Sequence, residues 1–268
     1  MTLGIAGVGL IGGSIALRAR ERGIKVIGLD AQPGNAGLVD RYVDSLEALA
    51  DASATIVIAL PLDATLEAID VLRRAAHPKL RLVLDVTSVK VPVVERSGGW
   101  DIFIATHPIA GAEGSGPRAA RSDLFVDRVW TYVPADPARD AAVRSFINMM
   151  GARPLAIDPA EHDRSLALTS HLPQVVVAAL AALLHDRDPS PELAGPGLAS
   201  TLRLAGSSWE LWEPILAANA SSLAPALREL GERLTTVAGE LEAGTLLLTA
   251  SYFKSAREAY EAFVKPRR

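Results

Sequence analysis

The chain has 268 residues, 49% of them apolar and 22% charged, with 27 basic residues against 31 acidic, five histidines and no cysteine. Its net charge of −4 argues against nucleic acid as a partner, because phosphate binding calls for a basic surface, and the apolar fraction excludes general disorder. Without cysteine there are no disulfides, thiolate metal sites or cysteine nucleophile, and a cytoplasmic enzyme is the default expectation.

The chain opens on a strand-like run, Leu3 to Ala6, with no basic leader before it, so no signal peptide is expected. Glycines follow, then a helical stretch from Ser14 to Arg22 closed by Gly23. Further strands are expected at Lys25 to Leu29, Thr55 to Leu60, Leu82 to Asp85, Ile102 to Ala105 and Val129 to Val133. Ala64 to Ala75 and Ala141 to Met150 read as connecting helices. Strands alternating with helices imply an α/β unit with a doubly wound, mostly parallel sheet. After Asp158 the pattern turns Ala/Leu-rich and helical: Ala160 to Arg187, Ser208 to Ala220, Ser222 to Glu242 and Gly244 to Phe263. A Pro/Gly-rich connector, Asp188 to Gly197, interrupts it. The division expected is 1–157 for the α/β domain and 158–268 for an all-helical one. Helices this apolar must bury more than one face, which suggests a homodimer packed through the second domain. The longest apolar run, Val175 to Leu184, falls short of the roughly 20 residues needed to span a bilayer, so no membrane partner is expected.

Gly7-Val8-Gly9-Leu10-Ile11-Gly12 fits G-x-G-x-x-G between a strand and a helix, the Rossmann-type dinucleotide signature. Gly7 would make the tight turn, Gly9 admit the pyrophosphate, and Gly12 let helix and strand pack closely. The amides opening the helix, at Leu10 and Ile11, would face the phosphates. Asp30, ending the second strand, offers its carboxylate to ribose hydroxyls and would repel a 2′-phosphate, so NAD is expected over NADP.

Three further segments carry substrate information: Asp85-Val86-Thr87-Ser88-Val89-Lys90, Thr106 to Pro117 with His107-Pro108-Ile109-Ala110-Gly111, and His162-Asp163 followed by Ser170-His171-Leu172-Pro173. With Thr201 to Ala205, Glu210-Leu211-Trp212 and Asn219 in the same order, they resemble the prephenate/arogenate dehydrogenase family of tyrosine biosynthesis over nearly the whole chain. The resemblance implies oxidation of a ring carbinol at C4 of a cyclohexadienyl acid, with hydride passing to NAD(P)+ and loss of CO2. By that resemblance His107 takes the hydroxyl proton, Ser88 hydrogen-bonds and orients its imidazole, and Arg203 binds a substrate carboxylate. Glu113 would stand near the site entrance, and Ser170, His171 and Trp212 near the substrate.

Two departures bear on substrate choice. Gln174 stands where many prephenate-using members have a second histidine, and Leu198-Ala199-Ser200 replaces the family's F-R-D. Gln174 can donate or accept, so it suits the side chain of either substrate. Prephenate is the expected substrate, with arogenate the alternative. A β-hydroxyacid or imine-reductase-type dehydrogenase, or a non-catalytic NAD-sensing protein, stands behind them. Read by position alone, His162 is a first-turn helix residue and Asp163 a complement to the helix dipole. Pro173 is expected to kink its helix, and His77 and His185 to be solvated at helix ends. No histidine pair has metal-ligand spacing, so no metal is expected.

Overall fold

The computed structural model describes residues 2–32, 37–74, 77–112, 114 and 116–264. In chain order it runs β1 (Thr2–Ala6), α1 (Leu10–Glu21), β2 (Lys25–Leu29), β3 (Arg41–Tyr42), α2 (Leu46–Ala52), β4 (Thr55–Ile58) and α3 (Leu62–Arg74). There follow β5 (Leu82–Asp85), α4 (Val91–Ser97), β6 (Phe103–Ile104), β7 (Thr106–Pro108), β8 (Val129–Tyr132), α5 (Pro137–Met149) and β9 (Arg153–Ala156). The rest is helical: α6 (Pro159–Leu166), a π turn (Ala167–His171), α7 (Leu172–Arg187), α8 (Pro196–Leu202), a 3-10 turn (Arg203–Gly206), α9 (Trp209–Ala218), α10 (Ala220–Ala243) and α11 (Leu247–Phe263).

Six strands form one sheet in the order β3-β2-β1-β4-β5-β6, every pair parallel. The central strands β4 and β5 are buried at every residue, as a sheet covered on both faces requires. Leu3, Ile5, Val57 and Leu84 look into one core with Ile15 of α1. Ala6, Ile56, Ile58 and Val83 look into the other with Leu49 of α2 and Ile69 of α3.

The run Val129 to Val133 does not extend this sheet. It lies in a second, three-stranded sheet of order β7-β8-β9, antiparallel to β7 and parallel to β9. The strands that recruit it, β7 and β9, are three and four residues long and contain Pro108 and Pro154, so neither shows a strand pattern. The small sheet shares the α1-side core through Trp130, which is fully buried, stands edge-on to Phe146 at 5.9 Å and donates from Nε1 to Thr106 Oγ1 at 3.0 Å. His77 also departs from expectation: its Nδ1 lies 2.9 Å from Asp51 Oδ1 and its side chain is only 5% exposed.

The helical half has little core of its own. Its buried apolar residues, among those described, are Ala167, Val177, Ile215 and Leu223. Leu168, Leu183, Leu193, Trp209, Leu247, Phe253 and Phe263 are exposed. The continuous helical run 159–187 is long and apolar enough to cross a bilayer, beyond what the short Val175 to Leu184 run implied, yet little of it is buried within the chain. It is not a plain kinked helix either. Pro173 has no N–H to give, and the turn before it widens, with the Leu172 N–H bonding back to the Ala167 carbonyl five residues earlier.

Candidate active site

The glycine turn is shaped by its own neighbours at two of its three glycines. Gly7 has φ +89°, and a Cβ there would stand 2.3 Å from the Ala59 carbonyl oxygen. At Gly12 a Cβ would stand 1.9 Å from the Gly7 oxygen. Gly9 differs: nothing lies within 4 Å of where its Cβ would be, so its missing side chain leaves an open approach to the backbone. Gly9 also N-caps α1 without a side-chain acceptor, which leaves the first-turn amides of Leu10 and Ile11 available to an anion. Asp30 accepts from the Val8 N–H at 2.7 Å and from the Gln32 N–H at 2.9 Å. Its carboxylate thus ties the glycine turn to the end of β2. These residues fit a dinucleotide: an open cradle, free amides and a fixed carboxylate.

The second part of the site is built on a buried ion pair. Asp85 ends β5 and Lys90 precedes α4, and both side chains are fully buried. Lys90 Nζ bonds Asp85 Oδ2 and also donates to the Thr87 hydroxyl at 3.1 Å and the Thr106 carbonyl at 2.7 Å. Asp85 Oδ1 accepts the Thr106 N–H at 2.8 Å. Thr106 is therefore held by both backbone groups, and the next residue is His107. Burial pushes the Lys90 ammonium below its ordinary pKa, against the pull of Asp85.

His107 Nδ1 lies 3.0 Å from His162 Nε2, with the rings edge to face. His162 Nδ1 lies 2.7 Å from Asp163 Oδ1. The same carboxylate accepts the Lys90 N–H at 2.7 Å and the Val91 N–H at 2.9 Å, so Asp163 caps α4, whose own residues supply no side-chain cap. That corrects the readings of His162 as a plain helix residue and of Asp163 as a complement to its own helix. The bond expected from Ser88 to His107 is not formed: Ser88 is half-buried and its side chain has no hydrogen bond among the described residues, while His107 Nδ1 meets His162. Burial first, then the Lys90 charge and the neighbouring His162 and His171, push the His107 imidazole well below its ordinary value. Burial opposes the Asp163 charge, but His162 and the Val91 and Lys90 amides hold that carboxylate below its ordinary range.

Asn219 joins the other residues on this side. Its Nδ2 donates to the Asp163 carbonyl at 2.7 Å and lies 3.1 Å from His171 Nδ1. With Nδ1 accepting, the proton of neutral His171 sits on Nε2. That nitrogen is buried without a partner among the described residues, and so is Trp212 Nε1, the two rings standing edge to face at 5.9 Å. Unmet buried donors cost about 1–3 kcal/mol each, so the pair marks a place where an acceptor on a ligand would be met. Burial also lowers the pKa of His171.

The remaining candidates are placed less centrally. Ser170 is half-buried in the π turn, and Arg203 is exposed at the start of the 3-10 turn, without an ion pair among the described residues. Gln174 is buried and its Nε2 donates to the Leu204 carbonyl at 2.9 Å. One N–H of its amide is thus engaged with the turn beside Arg203, which leaves a second N–H and the oxygen for the expected contact with substrate. Glu113 lies outside the described residues. Sequence reasoning underrated His162 and Asp163; their adjacency to the S-H-L-P segment was the available signal.

A parallel sheet of this order, with the glycine turn between β1 and α1, defines a dinucleotide-binding fold joined to a helical domain. Residues 14–155 match the prephenate dehydrogenase nucleotide-binding domain and residues 158–253 the prephenate dehydrogenase dimerization domain. The chain belongs to the prephenate dehydrogenase family of oxidoreductases. Prephenate dehydrogenase of Bacillus subtilis is 30% identical over 280 residues, spanning 96% of this chain and 74% of that protein. The crystal structure of Synechocystis arogenate dehydrogenase superposes with a TM-score of 0.81 at 28% identity, covering 98% of this chain and 100% of that one. Prephenate dehydrogenase from A. aeolicus, solved with hydroxyphenyl propionate and NAD+, gives a TM-score of 0.88 over 98% of each chain. At 24% identity that last likeness speaks for the fold alone.

Two outcomes follow from the buried groups. Lys90→Met leaves the Asp85 carboxylate without its counter-ion and should lower the unfolding free energy by about 3–5 kcal/mol in urea titrations, with part recovered in Asp85→Asn/Lys90→Met. The lowered His107 and His171 values mean that, below about pH 6.5, the unfolded chain binds protons that the folded chain refuses. Stability is therefore full above that pH and should fall as the pH drops through it, as urea midpoints at about pH 7.5 and about pH 5.5 would report.

Proposed function

We propose that this chain is an NAD-dependent prephenate dehydrogenase that converts prephenate to 4-hydroxyphenylpyruvate and CO2 in tyrosine biosynthesis, acting as a homodimer in the cytoplasm. The observation that carries the reading is His107, a residue of the strand clamped through Thr106, whose imidazole burial holds well below its ordinary pKa, in a chain that also offers an open glycine cradle and two unmet ring donors. Family membership supports the substrate class.

When bound, the dinucleotide supplies the hydride acceptor. His107 takes the proton of the C4 hydroxyl as the C–H electrons leave, a contribution worth about 10²–10⁴-fold. The ring carboxylate then departs as CO2 because aromatisation follows, and the proton on His107 returns to the phenolic oxygen. Arg203 binds a carboxylate in a charge-assisted contact, while His171 Nε2 and Trp212 Nε1 offer hydrogen bonds to the substrate's oxygens. Ser88, half-buried on the loop after β5, keeps a hydroxyl that can donate or accept toward the substrate. Asp30 favours NAD, since a 2′-phosphate would meet a like charge.

Arogenate is the second reading. Gln174, buried where the family often has a histidine, and the likeness to the Synechocystis arogenate dehydrogenase favour it. The exposed leucines and phenylalanines of the helical half, and its match to a dimerization domain, support a homodimer. The apolar run 159–187 then faces a second subunit: it carries buried His162, Asp163, His171 and Gln174, a polar set suited to an interior and costly in lipid.

Purified protein with NAD+ and prephenate should form reduced cofactor and release CO2, faster than with arogenate; no turnover of either acid would end the reading. His107→Asn should depress kcat at least about 100-fold with NAD affinity nearly unchanged. Arg203→Ala should raise KM by about 10- to 100-fold, the worth of a charged hydrogen bond. In the glycine turn, Gly9→Ala should keep the wild-type urea midpoint and weaken binding of reduced dinucleotide, measured by fluorescence. Gly12→Ala should instead cost stability, by about 1–3 kcal/mol or more.

A further inference from the structure

We infer that His162 and Asp163 are positioning residues which set the tautomer of His107, so that its Nε2 lone pair, and not an Nε2 proton, is presented to the substrate. The inference rests on the proposed role of His107 as base and names what makes that role possible.

The chain of assignment starts at a group whose polarity is fixed. Asp163 receives the Lys90 N–H on Oδ1 and the Val91 N–H on Oδ2. Both oxygens therefore act as acceptors, as an ionised carboxylate must. Its contact with His162 Nδ1 at 2.7 Å then requires the proton on that nitrogen. Where His162 carries that single ring proton and no second one, its Nε2 is an acceptor. The next contact, 3.0 Å to His107 Nδ1, is satisfied only when His107 donates from Nδ1. What remains on neutral His107 is an unprotonated Nε2, which has no hydrogen-bond partner among the described residues. His162 and Asp163 are both buried, so water cannot readily replace either link.

The arrangement differs from a carboxylate placed directly against the base. Two rings carry the instruction, and the carboxylate that issues it is the same one that caps α4. Moving the helical half away from α4 would break the capping bonds and release the tautomer together.

The test reads the tautomer itself as well as turnover. In the intact protein labelled with 15N-histidine, the five imidazoles are resolved and the His107 signals identified by their loss in His107→Asn. Wild-type His107 is expected to show a protonated Nδ1 and an unprotonated Nε2 at pH above its titration. Asp163→Asn puts an amide NH2 where one of three N–H groups is now accepted and should lower kcat by about 10²–10⁴-fold, the scale seen when a carboxylate behind a catalytic histidine becomes an amide. His162→Gln keeps an acceptor oxygen toward His107 and should retain at least about tenfold more kcat than His162→Leu, with KM and dinucleotide affinity within about twofold in both. A purely structural role predicts no such rescue. Wild-type His107 protonated at Nε2, or a His162→Leu enzyme with wild-type kcat, overturns the inference. The tautomer signals stand apart from substrate identity: an Nδ1–H His107 in a protein that turns over neither acid keeps the assignment and removes the proposed reaction.

Discussion

The structure depends on one buried ion pair, Asp85 with Lys90. Two fully buried charges are tolerable only when each is opposed and hydrogen-bonded, and here every remaining position is used. Thr87 and Thr106 supply the donors that Asp85 still needs, and the Thr87 hydroxyl and Thr106 carbonyl take the protons that Lys90 still offers. Such a pair adds little net stability over an apolar replacement, but a shifted strand would leave a bare charge inside. The selectivity falls on Thr106, the residue at which the chain leaves the parallel sheet for the smaller one. His107 inherits its position from that clamp.

Asp163 plays the complementary part from the helical half. The α4 helix begins without a side-chain cap of its own, and an exposed Asp or Ser nearby could have supplied one. The cap arrives instead from about 70 residues further along the chain, on α6. Docking of the helical half, completion of α4 and the approach of His162 to His107 are consequently one event. Asn219 extends the same logic by bonding the Asp163 carbonyl and His171 together. The wide turn before Pro173 lets His171 face inward while the helix continues.

The sheet was legible in the sequence where the physics is local. Runs such as Ile56-Val57-Ile58 and Val83-Leu84 are buried on both faces, and such strands show themselves as unbroken apolar stretches. The glycine signature was legible because backbone conformation at Gly7 and space at Gly12 are properties of the turn itself. The small sheet was not, since Thr106-His107-Pro108 has no alternation and gains strand character only from pairing with β8. Of the site, the motif histidine and its neighbours could be marked by resemblance. The link from His107 to His162 spans 55 residues and leaves no periodic trace, and the bond of Gln174 to Leu204 is equally silent.

That last bond changes what the departure at position 174 means. A side chain in direct contact with substrate would alter specificity through its own polarity. Gln174 gives one N–H of its amide to the Leu204 carbonyl, one residue beyond Arg203, and so its geometry is passed to the cation expected to meet the substrate carboxylate. The turn that holds Arg203 has no buried residue of its own and rests against α7 and α8. On the proposed reading, substrate preference at this position is a matter of where the guanidinium stands relative to the His171 and Trp212 donors.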